Sequence, residues 1–326
     1  MLRPNRLGVL LSLLLFGASA SVWAQYGGGT SGTTAPVSGS TPMPTLVLTP
    51  NEHISFDRPE AWGLKYFAAA TVLSGLEAPE SDEQRHPWSV NVGFETGWLP
   101  TLDAGQEKIG FHGNAPEDLN KAPVFMRPIV RIGLPWKLTA IVAAPPPFEV
   151  FGVTPRLLAF GLERPIAEHN GWTFAWRGYG QVGYVKGAFT CPSSVLGFTP
   201  GSPGNPEGCL AASNDKANLR YAGGELQAAY RVRHTKLIPH VTAGGTFVDG
   251  DFKVNALDIH AMDHSNLWTH GGMLSTTGGL TYLLTQRASF TVDMFYSPLE
   301  VRRSATSPLT NDGLLNVRAL LSYTFR

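Results

Sequence analysis

The sequence predicts an all-β chain: a closed antiparallel transmembrane β-barrel of about ten strands, with one helix ahead of it and an export signal at the start. Three observations predict this. Segments with a two-residue alternation of apolar and polar side chains recur from Pro87 to the C-terminus. The connections between them sort into short and long in alternation, as strands crossing a membrane back and forth require. Finally, the N-terminus has the anatomy of a secretory leader, and nothing after it is an apolar run of the ~20 residues a membrane helix needs.

Residues 1–24 carry a basic start (Arg3, Arg6), an apolar core from Leu7 to Phe16, and small residues before Gln25. Val22-Trp23-Ala24 places small side chains at the two positions a signal peptidase reads, which predicts a mature start at Gln25; Ala18-Ser19-Ala20 offers an earlier cut. Residues 25–56 are rich in Gly, Ser, Thr and Pro at their start and bury too little to offset chain entropy, so a flexible periplasmic linker is expected. In 57–86, Asp57-Arg58-Pro59 resembles a helix start, with Asp57 as the cap. Trp62, Tyr66, Phe67, Ala70 and Leu73 follow at helical spacing to about residue 74, and Gly75 ends the pattern. Two placements remain open for this helix, a plug in the barrel mouth or a segment packed beneath the barrel.

Residues 87–326 hold ten candidate strands, at 88–99, 123–135, 138–147, 152–165, 171–190, 218–233, 236–252, 268–284, 287–303 and 314–326. The first places Val90, Val92, Phe94, Thr96 and Trp98 on one face against Ser89, Asn91, Gly93, Glu95 and Gly97. With that strand rising from the periplasm, the outer connections are 100–122, 148–151, 191–217, 253–267 and 304–313. Four of these five are longer than any inner connection. Pro145-Pro146-Pro147 predicts an earlier end for the third strand, and a hairpin around 108–112 would raise the count to twelve.

The last strand runs Leu315, Val317, Ala319, Leu321, Tyr323 and Phe325 on one face against Asn316, Arg318, Leu320, Ser322, Thr324 and Arg326. Ending beside the terminus on an aromatic, it resembles the C-terminal strand of Gram-negative outer-membrane β-barrel proteins. That resemblance implies location in the outer membrane, contact with its lipids, and an assembly signal at Tyr323 and Phe325 read by the barrel-assembly machinery; the count of ten strands places both chain ends in the periplasm. Arg326 departs from the pattern, in which the aromatic is terminal.

Composition narrows function by exclusion. Net charge is zero and 15% of residues are charged, so no basic face calls for nucleic acid. The two cysteines, Cys191 and Cys209, share one Pro/Gly/Ser-rich stretch and are expected to pair in an oxidising compartment. Alternation turns Glu95, Arg127, Arg131, Glu163, Arg177, Glu225, Gln227, Arg231, His240, Asp293 and Arg318 inward. These predict either a packed ionic network or a polar constriction, since charges in a narrow space must be paired. Asp258, His260, Asp263 and His264 are weak metal candidates, and no cofactor is expected. Asp258-Ile259-His260 also resembles the Asp-x-His half of the omptin protease site, but the paired aspartates of that family have no counterpart here beyond Glu149, so no enzyme is expected. The most concrete function is a passive channel or transporter for small solutes. The alternative is a non-conducting surface scaffold that binds a macromolecule through its outer loops.

The terminal pattern makes a direct prediction: Phe325→Ser abolishes the compact, heat-modifiable barrel band from outer-membrane fractions on gels, while deletion of Arg326 leaves it. Normal assembly of the Phe325 variant would remove the sequence basis for the assembly signal.

Overall fold

A computed structural model of the chain describes residues 46–80, 86–304 and 306–325. The export signal and residues 25–45 of the linker lie outside the described residues. Ten strands form the wall: β1 Val90–Trp98, β2 Val124–Gly133, β3 Thr139–Ala143, β4 Val153–His169, β5 Trp172–Gly187, β6 Asp215–Tyr230, β7 Leu237–Lys253, β8 Asn266–Leu283, β9 Ala288–Ser297 and β10 Leu314–Phe325. Each pairs antiparallel with its neighbours in sequence, and β10 pairs with β1, so the sheet closes into a barrel in which β3 is the short strand. Closure matters because an open edge leaves backbone donors and acceptors that hydrocarbon cannot satisfy.

The alternation read from the sequence is the alternation of the wall. In β1, Val92, Phe94 and Trp98 point outward and Asn91, Gly93 and Glu95 inward; in β9, Phe290, Val292, Met294 and Tyr296 oppose Ser289, Thr291, Asp293 and Phe295. The exterior is consequently an apolar surface, with Phe94, Phe160, Leu274 and Met294 about half exposed or more. Aromatics collect where β-strands meet the short turns: Trp172 stacks on Phe174 (6.0 Å) and meets Tyr230 (5.0 Å), and Tyr323 packs edge-on to Phe325 (4.8 Å).

The connections follow the predicted sorting more cleanly than the sequence indicates. The turns at one end are 134–138, 170–171, 231–236 and 284–287, and each of the loops at the other (99–123, 144–152, 188–214, 254–265, 298–313) is longer. The second loop is lengthened because β3 stops at Ala143, before the prolines. The expected hairpin near 108–112 exists as Lys108–Ile109 against Ala115–Pro116, but it stays within the first loop and does not join the wall, so the count is ten. Cys191 and Cys209 are bonded and close the third loop.

The helix α1, Pro59–Thr71, lies inside the barrel, and all 13 of its residues are buried. Its apolar stripe joins the main core, yet the opposite face, Ala61, Lys65, Ala68 and Ala69, is buried as well. Small residues make that enclosure feasible; a side chain at Gly63 would meet Ile109 at 2.6 Å. Asp57 is not the cap. The N-cap is Arg58, which makes no side-chain cap bond, whereas the Asp57 carboxylate accepts from Ser55 and Arg302.

The direction of this segment corrects the expected layout. Leu46–Leu48 forms a short strand parallel to Ala261–Asp263, and Asn51–His53 another parallel to Asn266–Trp268, both at the loop end. After α1 the chain descends through Val72–Ala78 until Ala78 packs with Ala229 and Ile238 at the turn end. The first described residues therefore sit opposite the C-terminus, not beside it, and within the expected flexible linker Leu46–Leu48 and Asn51–His53 are strands. Composition cannot register this, because the pairing partners of these residues lie more than 200 positions away.

Candidate functional site in the barrel lumen

The lumen is organised around the end of α1. The last carbonyls of a helix have no partner within it and carry partial negative charge. Here Thr71 passes straight into extended Val72, so those carbonyls face the wall. Two arginines meet them. Arg318, from β10, donates to the carbonyls of Ala69 (3.1 Å), Val72 (3.0 Å) and Ser74 (3.1 Å). Arg127, from β2, donates to Thr71 (2.7 Å) and Val72 (3.2 Å). Tyr221 completes the ring, its hydroxyl donating to the Thr71 carbonyl at 3.0 Å and accepting from the Leu73 amide at 3.1 Å.

Charge compensation comes from the wall. Glu95 accepts from Arg127 Nε at 2.6 Å and lies 3.9 Å from Arg318. Arg318 also stacks over Phe295, 4.2 Å from the ring centre. On the far wall Arg177 bridges Glu163 (2.6 Å) and Glu225 (2.9 Å), and Glu225 also takes hydrogen bonds from Ser74, Gln227 and the Gly75 amide. Toward the turn end Arg131 pairs with Glu77 of the descending segment, whose other oxygen accepts from Ser289 and Ser322. His240 meets Asp293 at 2.8 Å.

Of the inward positions predicted from alternation, Glu95, Arg127, Arg131, Glu163, Arg177, Glu225, His240, Asp293 and Arg318 are buried in the lumen. Arg231 is the exception: β6 ends at Tyr230, so Arg231 falls in the turn, half-buried. Sequence reasoning missed Glu77 and the helix carbonyls. Counting strand positions alone gave more cations than carboxylates; the excess is resolved by groups on the plug, which a strand pattern does not index.

The other candidates are placed as follows. Asp258 accepts from the amides of His260 (2.6 Å) and Ala261 (2.7 Å), and Asp263 from the Ser265 amide (2.8 Å) and hydroxyl, so both carboxylates cap a tight hairpin. His260 and His264 are exposed, and no cluster of three or more potential ligands with metal-binding geometry occurs among the described residues. Tyr323 and Phe325 point outward, about half exposed. At the loop mouth, Glu117 is 95% buried, and burial, reinforced by Asp215, pushes its carboxyl well above the usual carboxylate range.

A closed wall, an apolar exterior and a polar, internally paired lumen define the architecture of outer-membrane β-barrel proteins. No family model matches the sequence, and no curated protein matches it. Among solved structures, the chain is similar to the outer membrane protease OmpT from Escherichia coli (11% identity, 73% of this chain and 97% of that one, TM-score 0.39). It is also similar to Neisserial surface protein A (9%, 73% and 97%, 0.29) and to Ail, the attachment invasion locus protein of Yersinia pestis (11%, 74% and 100%, 0.30).

Two outcomes are expected. Glu95→Ala leaves two buried guanidinium groups short of a counter-charge and lowers unfolding stability in urea, measured on protein folded into vesicles, by about 3–5 kcal/mol; adding Arg127→Met recovers part of the loss. Glu117→Gln removes a carboxyl whose folded-state pKa is raised. The stability this group contributes is complete below its unfolded value near ~4.3 and is lost as pH rises through the folded value. The variant therefore gains on the parent as pH rises from about 4.3, and a pH-independent difference would contradict the assignment.

Proposed function

We propose that the chain is an outer-membrane barrel of a Gram-negative bacterium, shut by its own N-terminal segment, that acts as a non-conducting scaffold presenting its loop face to a protein partner at the cell surface. The observation that carries this reading is the complete burial of α1 within the lumen, with its C-terminal carbonyls held by Arg127 and Arg318. In this reading the inward arginines and carboxylates hold the plug and do not select solutes. Membrane location is supported by the outward apolar surface, which in water would leave Phe94, Phe160, Leu274 and Met294 unpartnered.

The loop face has the character of a platform. Leu46–Leu48, Ala261–Asp263, Ala256–Asp258 and Cys209–Ala211 form one four-stranded sheet, which joins the N-terminal segment to the fourth loop and to the disulfide-closed third. Leu46, Val47 and Leu210 of that sheet, with Phe198 of the third loop and Ile259 of the hairpin turn, are exposed by 48–61%. An apolar set on a braced surface suits a protein partner. The reading assigns Asp258 and His260 to the hairpin and gives them no catalytic role.

Planar-bilayer recordings of the full chain are expected to lack step conductance; stable steps at neutral pH would replace the scaffold reading with a channel. Val47→Cys is expected to react with a membrane-impermeant maleimide on intact cells, because both native cysteines are bonded. Protection of that thiol until the outer membrane is breached would reverse the orientation. Deletion of 192–208 is expected to abolish partner binding to whole cells.

A further inference from the structure

The wall is incomplete beside β3. A strand crossing the hydrocarbon at a tilt needs about 9–11 residues, and β3 has 5. Its ladder with β2 covers Ile129–Gly133 and its ladder with β4 covers Ala159–Glu163. Above those levels β2 continues to Val124 and β4 to Val153; their far sides pair with β1 and β5, and on their near sides the connection contributes the Ala144 amide to the Pro128 carbonyl (3.4 Å) and a bridge between Val150 and Val153 in place of a ladder. The missing strand leaves a slot about 5 Å wide, crossed by the 144–152 connection.

Unpaired backbone facing lipid is costly, because hydrocarbon returns no hydrogen bond. Prolines remove part of that cost here. Pro128 and Pro155 stand on the two facing strands, and Pro145, Pro146 and Pro147 in the connection, so these positions have no amide to leave unsatisfied. The opening is thus built from residues that tolerate it.

Behind the slot is a cavity of about 100 Å³. On β2 it is lined by Phe125, on the inward face, and by Val124 and Met126, on the outward face, so it passes through the wall at that edge. Leu157 and Val153 line the opposite side, and the floor is α1 at Phe67, Ala70 and Thr71. Polar groups at the floor are already engaged: the Thr71 hydroxyl donates to the Phe67 carbonyl at 2.9 Å, and the Tyr66 hydroxyl is turned toward Asn120 at 3.4 Å. What remains of the side-chain lining is apolar and meets the lipid-facing exterior at Val124 and Met126.

We propose that this slot is a binding site for one acyl chain of a lipid from the loop-side leaflet, seated through the wall between β2 and β4 with its end against Ala70 of α1. The width matches one extended hydrocarbon chain, the lining is apolar from mouth to floor, and the bilayer is the medium the mouth faces. The site rests on the membrane reading but not on the scaffold reading, since an acyl chain occupies the slot whether or not the lumen conducts.

The test uses the full chain folded into phosphatidylcholine vesicles that contain a lipid with a diazirine at mid-chain, followed by irradiation and mass spectrometry of the peptides. Adducts are expected on Phe67–Thr71 in addition to outward residues such as Phe94 and Phe160. Adducts confined to outward residues would overturn the proposal, as would labelling of Phe67–Thr71 only by a free fatty-acid probe added from the aqueous side. Val153→Phe narrows the mouth and is expected to lower the Phe67–Thr71 yield about tenfold, the equivalent of about two methylenes of lost contact, while outward labelling stays unchanged. An unchanged yield in a variant that retains the heat-modifiable barrel band would also overturn it. Should that variant not assemble, the labelling pattern of the parent protein decides by itself.

Discussion

The contact on which the rest of this structure depends is between two wall arginines and the carbonyl end of a helix. Arg127 and Arg318 are buried in a lumen where an unpaired guanidinium would be severely penalised. The α1 terminus has carbonyls that the helix itself cannot satisfy. Each feature is costly alone, and together they are compensated, with Glu95 as counter-charge. The pairing fixes the depth of the helix, because the carbonyls of Ala69, Thr71, Val72 and Ser74 must all meet the same two side chains.

Helix depth then determines the two ends. With its C-terminus at the level of Arg127, the N-terminus of α1 reaches the loops, where Trp62 Nε1 donates to the Asp312 carbonyl and Lys65 to that of Glu300. The 298–313 loop is drawn over the mouth, which buries Leu299 and Val301. Below, Glu77 of the descending segment reaches Arg131. The plug therefore acts as an internal template touching strands from both halves of the wall.

The fold was legible to a large extent. Period-two alternation located all ten strands, and the prolines at 145–147 marked the early end of β3. The inward set was legible for nine charged positions because a side chain in a closed barrel has only two directions. Arg231 was misplaced by a strand boundary set at 233, three residues beyond the real end at Tyr230, where alternation has no meaning. Glu77 was invisible because it lies on irregular chain with no period. The cap assignment at Asp57 failed because its carboxylate is taken up by the neighbouring Ser55 hydroxyl and by Arg302, 245 positions away.

The sequence by itself determined that this chain makes a half-apolar, closed wall with short turns at one end and long loops at the other, because alternation and loop length are local properties. Only the tertiary structure decided what fills that wall and which way the filling runs. The helix was readable as a helix, but its insertion depends on pairing Leu46–His53 with strands at 261–268 and Thr71 with arginines at 127 and 318. Those are contacts across the whole chain, and no window of residues contains both partners.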